Sequence, residues 1–135
     1  MRIIIATLAL LSLSACLTLP TTPAPDVVAR RDSVVRATEP VCEGEADCRA
    51  KWEAAQLWVL KHAGYKIQTA TSVIIQTFNP RQYSQDWAVT VTKEPKGSGR
   101  YAIRANVWCA NTYGCIPDRH AGMIDFNRVV SEARP

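Results

Sequence analysis

Histidine is scarce in this chain: His62 and His120 are its only two. No sequence signature sets a serine beside either of them, so the usual apparatus of nucleophilic catalysis is missing. No Cys-x2-Cys pair occurs, which removes the thioredoxin-like redox motif and the closest zinc-knuckle spacing. Asp86, Glu94, Asp118 and Asp125 are isolated in sequence rather than paired as glycosidase carboxylates are. No run of lysine or arginine forms a nucleic-acid patch, and nucleic-acid binding is not expected. No apolar run reaches the roughly 20 residues that a transmembrane helix needs.

The N-terminal end carries the most specific pattern. Arg2 supplies a basic start, and Ile3 to Leu13 form an apolar run broken only by Thr7 and Ser12. Leu13-Ser14-Ala15-Cys16 follows, with small residues where cleavage would fall. Such an order of charge, apolar core and small residues describes a secretory signal peptide. With Cys16 at the cut, the segment resembles the lipobox signal of bacterial lipoproteins. The resemblance implies that Cys16 is diacylated, that residues 1–15 are removed, and that the new N-terminus is acylated. Three acyl chains exceed the two signals that stable membrane attachment requires. In that family an Asp after the Cys often retains the protein in the inner membrane. Leu17 stands there in this chain, so the resemblance implies the outer membrane, facing the periplasm. It covers the signal segment alone and transfers no activity.

Removal of residues 1–15 leaves 120, enough for one small domain. The remaining charge is 15 basic against 12 acidic side chains, a mild excess spread along the chain. Residues 16–40 read as a lipidated N-terminus and tether, and 41–135 as the globular domain. Prolines and threonines crowd residues 17–26 and favour an extended chain, spanning roughly 30 Å at about 3 Å per residue. Val27, Val28, Val34 and Val35 recur at a helical interval, so a short helix or an irregular arm is expected over 27–36.

Cys42, Cys48, Cys109 and Cys115 make an even set with two identical Cys-x5-Cys spacings. Three connectivities are open. The local pairs 42–48 and 109–115 are favoured, because each closes a small loop holding turn-forming residues (Gly44; Asn111 and Gly114). Disulfides fit an oxidising compartment, and no cofactor or metal is called for.

Glu45 to Ala63 has the strongest helical pattern. Cys48, Trp52, Ala55, Val59, His62 and Ala63 share one face, with Leu57 opposite and Trp58 and Leu60 on its flanks. An apolar residue on nearly every side calls for a second covering layer, for which the 27–36 segment is the candidate and a partner protein the alternative. Strand chemistry fills Tyr65–Phe78, with a bend near Thr71-Ser72, and then alternating runs from Trp87 and from Tyr101 that should pair as a hairpin. Asp118 is a plausible N-cap for a final helix whose apolar stripe is Met123, Phe126 and Val130. The expected fold is α+β, a helix, three antiparallel strands and a second helix in one small domain.

Trp108 falls out of phase with Ile103 and Val107 and shares the outward face with Arg104, while Tyr113 sits in the 109–115 loop. Trp, Tyr and Arg are the types most enriched in binding hot spots. These three residues form the candidate binding surface. The expected function is a non-catalytic binding or assembly module of the cell envelope, meeting an envelope protein or peptidoglycan and attached to the membrane through Cys16. The alternatives are an inhibitor or immunity lipoprotein that blocks an envelope-degrading enzyme, and a small cell-wall or lipid hydrolase resting on His120 and Asp118. His62 is expected on the inward face near its helix end, and His120 as a solvated residue at the start of the last helix.

Overall fold

The computed structural model describes residues 23–135. The signal segment, Cys16 and residues 17–22 of the tether lie outside the described residues. A five-stranded antiparallel sheet is ordered β1-β5-β4-β3-β2. Its strands are β1 (Val41–Glu43), β2 (Ile67–Ala70), β3 (Ile74–Thr77), β4 (Ala88–Gly97) and β5 (Arg100–Trp108). Helices α1 (Pro25–Ala37), α2 (Gly44–His62) and α3 (Arg119–Glu132) complete the α+β domain. Both disulfides are local, Cys42–Cys48 and Cys109–Cys115.

Five strands stand where three were expected. The apolar run at 65–78 divides because the Thr71 hydroxyl accepts hydrogen bonds from the Val73 and Ile74 backbone amides at 3.2 and 3.1 Å. A threonine that offers the backbone such a local partner closes a turn in place of continuing a ladder. The added edge strand, β1, is three residues long and too short to carry a period; it pairs Val41 with Ala102 and Glu43 with Arg100. Gly44 then takes φ 73°, a conformation that costs glycine little, and the chain turns directly from β1 into α2.

The pairing of Val89 with Val107 and Val91 with Ala105 sets one face of the sheet. Ile75, Val89, Val91, Ile103, Ala105 and Val107 point from it into the buried cluster. Phe126, Val130 and Met123 of α3 enter the same cluster, so the expected stripe of that helix is its buried face. Trp58 of α2, 2% exposed, is the centre of the core. It meets Phe126 edge-on at 5.3 Å and stacks over Trp87 at 6.1 Å.

The buried face of α2 is therefore rotated from the expected one. Cys48, Lys51, Ala55, Trp58 and Val59 are buried, whereas His62 is exposed and lies against the Trp58 ring. Lys51 is on the inner side because its ammonium donates to the Val41 carbonyl at 2.8 Å and to Asp47 at 3.0 Å. A buried charge needs such partners. The 27–36 valines do not cover α2 as expected. Helix α1 packs on α3 instead, held by Asn127, whose amide donates to the Val35 carbonyl at 2.8 Å and to the Thr38 hydroxyl. The segment assigned with the tether thus packs onto the globular domain, and Leu57 and Leu60 of α2 are left exposed.

Candidate functional site

Alternation along β5 puts Ile103, Ala105 and Val107 toward the core, and Arg104, Asn106 and Trp108 on the opposite face. Thr90 and Thr92 of β4 and Gln76 of β3 share that second face through the ladder. The buried cluster lies wholly on the other side, so this face carries no helix layer among the described residues. Polar threonine, glutamine and asparagine are what an antiparallel sheet shows on the side it turns to water.

Arg104 lies near the middle of this face and is strongly committed. Its guanidinium donates to Glu39 at 2.5 Å and to Glu94 at 2.9 Å. The hydrogen bond to Glu39, joined by the charges of both carboxylates, holds its pKa above the ordinary arginine value. Lys96 adds a longer contact to Glu39 at 3.7 Å. Arg104 therefore pins the chain between α1 and β1 onto the sheet. Its role in the fold is plain, and its charge is neutralised.

Trp108 is half-buried and lines a cavity of about 340 Å³ at the far end of β5. The same cavity is walled by Tyr113 from the disulfide loop, by Pro23 just before α1, by Val28 and Arg31 in the first half of that helix, and by Arg119 at the start of α3. Tyr113 is 90% exposed. Its loop is nevertheless ordered by more than the disulfide: the Asn111 side chain accepts from the Tyr113 amide at 2.9 Å and donates to the Tyr83 carbonyl at 2.6 Å. Of the three candidate binding residues, the fold brings Trp108 and Tyr113 to one cavity. Arg104 stands four residues back along the strand, about 13 Å away. The basic side chains beside the aromatic pair are Arg31 and Arg119, which the sequence reading passed over because neither lies near residue 108 in the chain.

His120 lies in the wall of this cavity but not as the solvated residue expected. It is 5% exposed, and its Nε2 lies 2.9 Å from Asp32 of α1. The other ring nitrogen, Nδ1, has no hydrogen-bond partner among the described residues and is 3.8 Å from Asp118. Asp118 does cap α3, accepting from the His120 and Ala121 amides at 3.0 and 3.1 Å. It also takes Arg31 of α1 at 3.2 Å. These contacts join the first helix to the start of the last one. Among the described residues no serine, threonine or cysteine thiol bonds to either histidine: His120 meets Asp32, and His62 meets the Trp58 carbonyl at 2.9 Å. The cavity is thus an aromatic slot rimmed by charges.

A second groove, about 590 Å³, opens at the opposite end of the molecule between α2 and the sheet. There the Lys93 ammonium sits over both the Trp52 and Tyr101 rings, 5.5 and 5.6 Å from their centres. Sequence reasoning missed it, because its residues come from four separate elements. No family model, curated protein or solved structure matches this chain. The fold defines a small α+β domain stapled by two disulfides, bonds that fit an extracytoplasmic location. No helix among the described residues is long and apolar enough to cross a membrane.

Proposed function

We propose that this protein is a non-catalytic binding module of the bacterial cell envelope, attached through lipid on Cys16 at the outer membrane and facing the periplasm. It displays its uncovered sheet face, with Trp108 at the end of it, to an envelope protein or to peptidoglycan. The observation that supports this most is the half-buried Trp108, which ends the uncovered face and opens onto the cavity beside Tyr113. A large aromatic ring partly shielded by its own fold is pre-organised. It contributes area on binding while giving up little side-chain freedom.

The test compares the native lipidated protein with Trp108→Ala, by sedimentation with purified sacculi and by cross-linking in intact envelopes. A hot-spot truncation of at least about 2 kcal/mol lowers capture on the order of 30-fold. Arg104→Ala should weaken capture far less, since Glu39 and Glu94 already occupy its donors. Undiminished capture by a folded Trp108→Ala protein would remove this surface from the function. Hydrolytic turnover of cell-wall or lipid substrates that vanishes in His120→Ala would instead establish an enzyme.

A further inference from the structure

Two loops meet beyond the end of the sheet where β4 begins and β5 finishes, opposite the β4–β5 turn, and form a single platform. Backbone hydrogen bonds run from the Tyr83 amide to the Ala110 carbonyl at 2.9 Å, from Ala110 to Ser84 at 3.1 Å, and from Ile116 to Gln85 at 3.1 Å. The Cys109–Cys115 disulfide ties the second loop. This braced platform presents three large side chains to solvent: Tyr83 at 70% exposure, Tyr113 at 90% and Ile116 at 65%. Tyr83 holds φ 64°, a left-handed conformation that is uncommon and costly for a bulky residue. An ordered scaffold is here spent on showing tyrosine and isoleucine to water.

The described chain begins at this same end, since Pro23 lines the cavity beside Tyr113. Seven peptide steps separate Cys16 from Pro23, a reach of at most about 25 Å. The β4–β5 turn is much farther from any anchor, because β4 alone extends the molecule by about 30 Å. Tyrosine favours the water–membrane interface, where its ring is apolar and its hydroxyl stays wet. Arg81 and Arg119 are exposed on this end, Arg31 is paired with Asp118, and the exposed Asp86 lies in the first loop beside Ser84, so the charges nearly balance. Aromatic and apolar contact, more than net charge, would drive docking.

We infer that the Tyr83–Tyr113–Ile116 platform rests on the surface of the bilayer that holds the acyl chains of Cys16. This inference rests on the lipid anchor at Cys16. It sets the strands upright on the membrane, with the uncovered sheet face directed sideways and the Lys93 groove at the outer end. A partner would then be met alongside the membrane.

The experiment uses the full lipidated protein in vesicles of phosphatidylethanolamine and phosphatidylglycerol that contain brominated phosphatidylcholine. Tyr113→Trp and Val73→Trp each add one indole, the first on the platform and the second in the exposed β2–β3 turn at the other end. Emission added at 113 should be quenched by the brominated lipid, and emission added at 73 should not. Ile116→Ser together with Tyr83→Ser should relieve the quenching at 113, with circular dichroism reporting an unchanged fold. Mass analysis of the N-terminal peptide separates the two ideas. Acyl chains absent from Cys16 overturn the anchor and the inference together. Acyl chains present with no quenching at 113 overturn the inference alone, whether the platform points away or a second copy or another protein covers it.

Discussion

At the residue scale, Trp58 shows how a polar atom is carried into an apolar core. Its ring is buried among Phe126, Trp87 and His62, and its indole N–H donates to Asp125 at 2.8 Å. That bond, followed by the one from Arg128, holds the Asp125 carboxyl below the ordinary carboxylate range. Asp47 is lowered as well, first by the Glu43 backbone N–H that it accepts and then by Lys51. A carboxylate with a depressed folded pKa stabilises the protein above its unfolded value, near 3.8. That contribution is lost as pH falls through the folded value. The urea midpoint should therefore be level above about pH 5 and fall at lower pH, with a shallower fall in Asp125→Asn. A curve of equal steepness in both proteins would assign the acid sensitivity to other groups. Asp125→Ala, which takes away the acceptor, should cost about 1–2 kcal/mol in urea unfolding at neutral pH, because water reaches part of this site and replaces some of the loss.

Elements repeat the lesson that a helix face is set by what it packs on. Gly122 would read as a weak point inside α3, since glycine interrupts helical propensity. Its actual reason is contact: a Cβ there would lie 2.6 Å from the Trp87 ring. That ring is in turn fixed by its N–H bond to the Pro117 carbonyl at 2.6 Å. Gly122→Ala should raise intrinsic helix propensity and still destabilise the protein, by about 1–3 kcal/mol, as overpacking does. Thermal melting decides it; an increase in melting temperature would show that the ring yields freely. The hairpin, the α3 stripe and its Asp118 cap were legible in the sequence because each depends on neighbours within a few positions. The face of α2 was not. Lys51 looks like a solvated residue until β1 brings the Val41 carbonyl to its ammonium, and His62 looks inward until Trp58 takes the core position. His120 is the same case at longer range, its partner Asp32 being 88 residues earlier. Of the candidate site, Trp108 and Tyr113 were readable from alternation and loop position, while Arg31, Arg119 and Tyr83 converge only through the tertiary fold.

On the scale of the whole molecule, the two disulfides sit at opposite ends and brace different things. Cys42–Cys48 fastens β1 to the first turns of α2, and one of its sulfur residues, Cys42, is fully buried in the core. Cys109–Cys115 closes the loop that carries Tyr113 and joins β5 to the approach to α3. The chain-entropy model gives each loop of this length about 2–2.5 kcal/mol, so reduction of both should cost about 4–5 kcal/mol. That is a large share of what a small domain has, at roughly 5–15 kcal/mol. The consequences of losing one bond should differ by position. Replacing Cys42 and Cys48 by serine puts polar groups into the core and exceeds the entropic loss, lowering the urea midpoint beyond what reduction of that bond explains. Replacing Cys109 and Cys115 by serine should remain near the entropic value while weakening capture and bilayer contact, because the loop that holds Tyr113 and Ile116 is then free to sample other shapes. Urea unfolding and vesicle quenching on the two double variants separate these effects. Equal stability losses with binding intact in both would mean that the second disulfide serves only the fold, and that the platform keeps its form without it.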